Sequence, residues 1–447
     1  MESGNFTEGK ILGPLIKFTV PVILALLLQS LYGAVDLLIA GHYAASADVS
    51  AVSTGAQIMQ TITGVIAGLS MGTTILLGQL IGEGKTKEAG KAIGASIIFF
   101  IFAALVFSVL MLCNTSSIAS LMNAPEEAFA GTCSYIRICS AGLIFITAYN
   151  VLGSLFRGIG NSRLPLVSVA IAAVFNIFGD ILMVKYMHLG AAGAAYATVA
   201  AQAFSVLISL LIIRKIELPF AFGRKDIGLH MSYIKRIVGF GAPLAFSDLL
   251  VGLSFLVILS IVNSLGLLAS AGVGVAEKVC AFIMLIPSAF SQSMATFVAQ
   301  NFGAGKMKRA VQGLKYGMAV SFAIGCVMAY LSFFHGSLLC DIFTTDKEVA
   351  YAGWQYLKAY AIDTLLTSFV FCLTGFFNGC GFTRFVMAQS LACAFLARIP
   401  YAWLMSKVTS NLFVIGLASP VASVLGILLL AGYLIYCIRS GRLKMNA

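Results

Sequence analysis

Charged residues are scarce in this sequence. Asp, Glu, Lys and Arg make up 10% of its 447 residues, and hydrophobic residues make up 60%. A soluble globular protein has about 25% charged and about 45–50% apolar residues, so a soluble domain is excluded. Because a helix needs roughly 20 apolar residues to cross the ~30 Å hydrocarbon core, this length accommodates about a dozen membrane-spanning helices. The long unbroken apolar runs exclude a membrane β-barrel, whose strands alternate over ~10 residues.

Patterns of catalytic and metal-binding sites are also lacking. The ten cysteines form no CxxC pair and no zinc-like cluster with histidine. HExxH is absent, and neither GxSxG nor GxGxxG occurs in a setting of alternating strands and helices. The turn at Gly84-Lys85-Thr86 ends like a phosphate-binding loop, but Gln79 stands where that motif requires its first glycine. We therefore expect a protein that is not an enzyme and needs no cofactor.

Clustered basic residues are missing as well. The net charge of +11 comes from thinly dispersed Lys and Arg, whereas a nucleic-acid surface needs them on one face with interleaved aromatics. Nucleic acid is therefore excluded as a partner, and the lipid bilayer is expected instead.

Twelve apolar runs, punctuated by glycine, proline and charge, are present. They fall into two sets of six: 13–40, 51–81, 92–113, 131–156, 164–187 and 190–213, then 234–264, 270–302, 312–335, 352–379, 385–406 and 411–438. The charged stretch between the sets, Arg214 to Arg236, holds six Lys or Arg. The predicted fold class is an all-α membrane protein, with an amino-terminal lobe at 1–213, a cytoplasmic linker at 214–232 and a carboxyl-terminal lobe at 233–447.

The two sets of helices repeat in sequence at an offset of 221 residues. The turn that begins at Gln79 and ends at Gly84-Lys85 matches the turn that begins at Gln300 and ends at Gly305-Lys306, and Tyr135 matches Tyr356. Repeats with an even number of helices start on the same side of the membrane, so they are related by a pseudo-two-fold axis along the membrane normal. Two facing bundles of this kind indicate alternating access, and therefore transport.

The basic residues near helix ends predict the orientation. If both termini are cytoplasmic, twenty-one of the 28 Lys and Arg face the cytoplasm and four lie within helices. Only Lys185, Lys347 and Lys407 then face outside. We expect a multi-pass protein of the plasma membrane, the cell inner membrane, that acts as a monomer.

Five acidic residues lie within the predicted helices: Asp36, Asp180, Asp248, Glu277 and Asp363. Each costs about 2.5–3.5 kcal/mol at mid-membrane, so such residues normally face a cavity or a partner. In the second half, an ion pair with Lys278, Lys358 or Arg398 is an equally good explanation, above all for Glu277. In the first half, Arg137 is the one basic residue near a helix interior.

Two pairs of positions four residues apart share helix faces in the first half. Asn176 and Asp180 lie on the fifth helix, and Ala194 and Thr198 lie on the sixth. With Asp36 of the first helix, they present carboxylates, an amide oxygen, a hydroxyl and a backbone carbonyl. Oxygen donors of this kind suit Na⁺, and two neighbouring carboxylates equally favour sharing a proton.

These motifs together resemble the multidrug and toxic compound extrusion (MATE) family of transporters. The first helix resembles the family in Pro21, Gln29, Tyr32, Asp36 and Gly41. The two glycine and lysine turns and the Asn176-x-x-x-Asp180 pair are similar to that family too, and the resemblance covers essentially the whole chain.

The resemblance implies export of amphipathic organic cations by antiport with Na⁺ or H⁺. The family's amino-lobe cation site falls on five residues of this chain: Asp36, Asn176, Asp180, Ala194 and Thr198. The resemblance also places Gln29, Tyr32 and Tyr135 in the substrate cavity. One branch of the family has a glutamate in the seventh helix where this chain has Val251, so a second site built from Asp248, Glu277 and Asp363 is an open alternative.

A lipid-linked precursor flippase is the second function to consider, since a related superfamily shares the two-lobe plan. A pyrophosphate-linked lipid needs several basic residues in the cleft, and the first half offers Arg137.

The glycines from Gly64 to Gly72 are compatible with close helix contact or with bending. Both roles of these glycines, close contact and bending, are compatible with the sequence.

Overall fold

The computed structural model of the chain describes residues 6–215, 220 and 222–443. Within these residues the protein is 87% helical and contains no strand. Eleven described helices are long and apolar enough to span a membrane, and a bent pair of helices raises the number to twelve. The predicted all-α membrane class is confirmed.

We label the spans α1 to α12 in chain order. The first six are Leu12–Tyr43, Ser46–Gly82, Thr86–Cys113, the bent pair Glu126–Ala141 and Leu143–Gly158, Arg163–Tyr186 and Gly190–Ile213. The last six are Met231–Asn263, Leu267–Gly303, Met307–Phe334, Lys347–Gly379, Thr383–Val408 and Leu412–Arg439. Of the predicted linker, residues 216–219 and 221 lie outside the described part of the chain, as do both chain ends, 1–5 and 444–447.

The fourth span differs from the single straight helix that the apolar run 131–156 predicts. Its two segments meet at an angle of 55° at Gly142. A Cβ at this glycine would overlap the side chain of Val199, so the absence of a side chain lets α6 pack against the bend. The span also begins earlier, at Glu126, because Pro125 precedes the helix and two glutamates occupy its first turn.

Glycine ends the helices at both repeated turns. Gly84 and Gly305 have φ angles of +70° and +71°, which a side chain would disfavour. The amide of Lys85 donates to the carbonyl of Leu80 at 3.0 Å, and the amide of Lys306 donates to Asn301 in the same way at 2.8 Å. These bonds satisfy carbonyls left free at the helix end.

The described chain forms two compact units. One consists of Val20–Ala245, and the other consists of Phe6–Thr19 with the chain from Phe246 onward. The first turns of α1 and the first half of α7 thus belong to the unit formed by the other repeat. The boundaries given above, 1–213, 214–232 and 233–447, follow the two sequence repeats and their linker, and they stay a prediction.

Within the first unit, α2 and α7 cross at glycine. A Cβ on Gly72 would lie 2.8 Å from the backbone nitrogen of Gly241 and closer still to the carbonyl oxygen of Ile237. A Cβ on Gly241 would in turn overlap the backbone of Leu69. Small residues let membrane helices approach closely, so the two glycines fix this crossing.

Within the second unit, the chain before α1 is held by the repeated turn. Phe6 is 1% exposed, and its ring packs 5.3 Å from Phe18 and 5.5 Å from Phe297. Arg309 donates to the carbonyl oxygens of Phe6 at 2.8 Å and of Gly9 at 2.7 Å. A charged side chain at the turn therefore anchors the start of the first helix.

Candidate functional site

Two helices of the first unit bring three buried polar side chains together. Asp36 on α1 lies beside Asn176 and Asp180 on α5. Asp180 is fully buried, Asn176 is 2% exposed and Asp36 is 9% exposed. The two carboxylates, separated by 144 positions in the sequence, thus lie next to each other.

These side chains have few partners of their own. Five buried atoms have no hydrogen-bond partner outside this cluster: Oδ1 of Asp36, Oδ1 and Nδ2 of Asn176, and both carboxylate oxygens of Asp180. Neither carboxylate forms an ion pair with a described Lys or Arg. An uncompensated carboxylate is expensive away from water, so the arrangement favours a bound cation or proton.

A third helix adds oxygen donors. Thr198 on α6 is half-buried, and its hydroxyl donates to the carbonyl of Ala194 at 2.9 Å, so the hydroxyl oxygen keeps lone pairs for another ligand. Tyr135 on α4 lies beside Thr198 and within electrostatic range of both carboxylates. Because Tyr135 is 4% exposed, it belongs to the wall of this buried cluster.

The helix that carries two of the polar side chains changes geometry directly after them. The α-helical part of α5 ends at Asp180 and is followed by the π-helical turn Ile181–Tyr186. Single π-helical turns inside α-helices occur frequently at functional sites. The sequence carried no signal for this turn.

The other two predicted cavity residues lie on the same helix as Asp36. Gln29 and Tyr32 are both half-buried on α1, and Tyr32 lies beside Gln202 and within electrostatic range of Asp36. Gln202 is 8% exposed and was missed by the sequence reasoning. Its position four residues after Thr198, on the same face of α6, was the signal that could have found it.

Arg157 was also missed as an interior residue, because we counted it among the cytoplasmic basic residues. It lies in the last turn of α4, where its Nη2 donates to Ser154 Oγ at 2.9 Å and its Nε is buried without a partner. The absence of a side chain at Gly153 leaves room for the guanidinium, whose Nη1 would be 3.4 Å from a Cβ there.

The acids of the second half lie on three different helices. Asp363 on α10 is 4% exposed and accepts a hydrogen bond from Ser423 at 2.6 Å. Asp248 on α7 is exposed, and Glu277 on α8 is half-buried. The described residues include no basic group within ion-pair distance of Glu277.

In the described part of the chain, none of the basic residues considered as partners lies within ion-pair distance of these acids. Lys358 is 3.9 Å from the ring centre of Trp354 and donates to Gln355 at 3.4 Å. Lys278 is exposed. Arg398 donates to Ser254 at 3.2 Å.

A repeated bundle of membrane-spanning helices with buried acidic side chains in one repeat is typical of transporters built from internal repeats. The chain belongs to the MatE family, whose model matches residues 21–182 and 243–404. Each match covers one of the two repeats. The resemblance to MATE transporters is therefore confirmed.

Relatives match nearly the full chain. The probable multidrug resistance protein YoeA of Bacillus subtilis is 25% identical over 93% of this chain and 92% of its own length. The multidrug export protein MepA of Staphylococcus haemolyticus is 24% identical over 87% and 85%. A crystal structure of MATE in complex with MaL6 has the same fold, with a TM-score of 0.92, 18% identity and complete coverage of both chains.

Proposed function

We propose that this protein is a secondary active exporter of amphipathic organic cations, driven by the inward movement of Na⁺ or H⁺ through alternating access. The observation that carries the proposal is the buried pair Asp36 and Asp180, in which Oδ1 of Asp36 and both oxygens of Asp180 have no hydrogen-bond partner outside their own cluster. The relatives named as multidrug resistance and multidrug export proteins support a role in drug export.

The coupling follows from charge compensation. When Na⁺ or H⁺ neutralises the two carboxylates, the lobe can close around them. Without the ion, their charge favours a hydrated cavity that accepts an organic cation. Ion and substrate then oppose each other's binding by equal amounts, which is reciprocal linkage between two sites. Exchange of one cation for another across the membrane is the result.

Both coupling ions fit the donor set. The amide oxygen of Asn176 and the hydroxyl of Thr198 lower the cost of dehydrating Na⁺, whose preferred ligands are oxygens. Two adjacent carboxylates also hold one proton between them, since their charges repel. A flippase for pyrophosphate-linked lipid is the weaker proposal, because such a headgroup needs several basic residues, whereas Arg157 is a single half-buried guanidinium of this repeat.

Transport by the purified protein in sealed vesicles tests the proposal. We expect accumulation of a fluorescent organic cation to depend on an opposing gradient of Na⁺ or of H⁺, each imposed separately. Vesicles containing a double variant, with both Asp36→Asn and Asp180→Asn, serve as the matched control. Equal fluxes with and without either gradient would reject cation coupling, and movement of a pyrophosphate-linked lipid in place of the dye would favour the flippase.

Substitution of Thr198 is expected to separate the two ions. Thr198→Ala removes one hydroxyl oxygen, which only a metal ion needs as a ligand. Sodium-driven efflux should fall by about 5-fold or more, while proton-driven efflux changes little. Thr198→Ser, which keeps the hydroxyl, is the control, and transport rates under matched gradients are the measurement. Equal losses under the two gradients would remove Thr198 from the ion site.

The proposed orientation places both termini and the turn at Lys85 in the cytoplasm. Lys85 and Asp346 are both exposed, so single cysteines at these positions are open to labelling in a cysteine-free background. In intact cells, a membrane-impermeant thiol reagent should label Asp346→Cys and leave Lys85→Cys unlabelled. Permeabilised cells, in which both should react, provide the control, and the reverse pattern in intact cells would invert the topology.

A further inference from the structure

The carboxyl-terminal repeat contains part of the framework of the amino-lobe ion site. At the offset of 221 residues, Tyr135 corresponds to Tyr356, and Thr198 corresponds to Ser419. Tyr356 and Ser419 are 1% and 2% exposed. Tyr360 lies beside Ser419, and its ring centre is 5.4 Å from that of Tyr356. The hydroxyl groups that surround the site are therefore present in both repeats.

The acidic and amide side chains of the site are not repeated. Asp180 corresponds to Tyr401, and Asn176 corresponds to Ala397. Asp36 falls on Val257 at an offset of 221 residues, or on the equally apolar neighbouring residue when the helix-1 proline is matched to the helix-7 proline. No carboxylate in the second repeat takes the place of either aspartate of the first.

A basic residue occupies the angular position on α11 that corresponds to Asn176 on α5. Arg398 ends the π-helical turn Cys393–Arg398, whereas the π-helical turn of α5 begins only after Asn176 and Asp180. A π-helical turn holds one residue more than an α-helical turn, so residues at the end of this turn are displaced by one position relative to α5. Arg398 therefore takes the angular position on α11 that Asn176 takes on α5.

Arg398 contacts the helix that corresponds to α1. Its Nη1 donates to Ser254 Oγ at 3.2 Å, and its Cζ lies 4.4 Å from the ring centre of Phe255. Both partners are on α7, the first helix of the second repeat, just as Asp36 is on the first helix of the first repeat. The same pair of helices is thus joined through an ionisable side chain in each repeat.

A carboxylate lies within electrostatic range of this guanidinium. Asp363 is affected by the charge of Arg398 and accepts a hydrogen bond from Ser423 at 2.6 Å. Ser423 corresponds to Gln202, the side chain beside Tyr32 in the first repeat. An arginine stays protonated in proteins, so this positive charge cannot be released and replaced.

We propose that Arg398 is a tethered cation that fills the carboxyl-lobe counterpart of the ion site, so that only the amino-terminal repeat exchanges an inorganic cation. The inference rests on the ion site of the proposed function and goes beyond it, because it assigns a latent monovalent-cation site to the second repeat. The ligands of that site are the carboxylate of Asp363 and the hydroxyls of Ser419 and Ser423. Removal of Arg398 leaves the buried carboxylate uncompensated, and Na⁺ then takes its place.

The test uses the full-length protein with Asp36→Asn and Asp180→Asn already introduced, so that its outcome is independent of coupling in the amino lobe. In this parent, Arg398→Gln is expected to bind radioactive sodium at least about 10-fold more tightly than the parent does. The unfolding temperature should rise when sodium chloride replaces choline chloride in mildly alkaline buffer. Alkaline conditions keep a proton from neutralising Asp363 instead.

Two further variants separate the proposal from a general effect of the substitution. Arg398→Lys keeps a tethered charge and should gain no sodium dependence. Adding Asp363→Asn to Arg398→Gln should abolish the gain. Folded Arg398→Gln protein without a sodium response, or a response that survives Asp363→Asn, would overturn the proposal.

Failure of Arg398→Gln to accumulate as folded protein is also decisive. If the uncompensated carboxylate causes the loss, addition of Asp363→Asn restores the folded protein, because it removes the unpaired charge. Recovery of a monodisperse peak in size-exclusion chromatography therefore supports the tethered cation. Continued absence of folded protein would show that Arg398 acts only through packing, and would overturn it.

Discussion

Asp36→Asn and Asp180→Asn are each expected to abolish efflux driven by an ion gradient while leaving the protein folded and inserted. Both residues keep their size and most of their packing as asparagine, but the site loses a charge that a cation or proton must compensate. Coupling between two sites is typically about 5- to 150-fold in affinity, so transport against a gradient should fall by about that factor. Dye efflux from vesicles at matched levels of folded protein is the measurement.

The physical reason is that an ion can drive a conformational change only through its different affinity for the two states. Asp180 is fully buried, and its oxygens have no partner apart from the neighbouring Asp36, so we expect its charge to disfavour the closed state until an ion arrives. Asparagine removes that difference. A variant with a neutral site should therefore still bind substrate, but an ion gradient should no longer move it.

Asp363→Asn provides the comparison in the other repeat. Asp363 is hydrogen-bonded to Ser423 and lies within reach of Arg398, so its neutralisation should reduce driven transport less than Asp180→Asn does. Wild-type rates from both amino-lobe variants under either gradient would remove the mechanism. Loss of driven transport in Asp363→Asn alone would move the coupling site to the second repeat.

Gly72→Leu is expected to prevent accumulation of folded protein, and Gly72→Ala is expected to lower its stability by about 1–3 kcal/mol. A Cβ at this position overlaps backbone atoms of Ile237 and Gly241, which cannot rotate away as a flexible side chain can. Alanine favours a helix over glycine by about 1 kcal/mol, but the overlap outweighs this gain. Because a folded protein is stable by only about 5–15 kcal/mol, the leucine variant loses the α2–α7 crossing.

Gly64 on the same helix supplies the matched control. No described atom lies within 4 Å of a Cβ built there, so Gly64→Ala should keep or slightly raise the unfolding temperature. Folded yield and unfolding temperature of the purified variants are the measurements. Normal yield and transport from Gly72→Leu would show that α2 and α7 do not require their close approach.

The sequence by itself determined the class of the protein and most of its helices. Hydrophobicity and the 3.6-residue helical period are properties of short segments, so apolar runs were enough to place the spans. The internal repeat marked the two turns at Gly84 and Gly305, which share positive φ angles in the structure. Spacing of four residues likewise placed Asn176 and Asp180 on one face of α5.

The tertiary structure alone decided which distant residues meet. Gly64 and Gly72 lie in the same apolar run, yet of these two only Gly72 touches α7, because that contact joins segments more than 160 positions apart. The burial of Arg157 Nε without a partner likewise depends on how the helices pack around it. A single π-helical turn shifts the positions that follow it on α11, and so decides that Arg398 faces Ser254. A local sequence pattern does not predict contacts between residues distant in sequence, or one-residue shifts of this kind, since both depend on packing between helices.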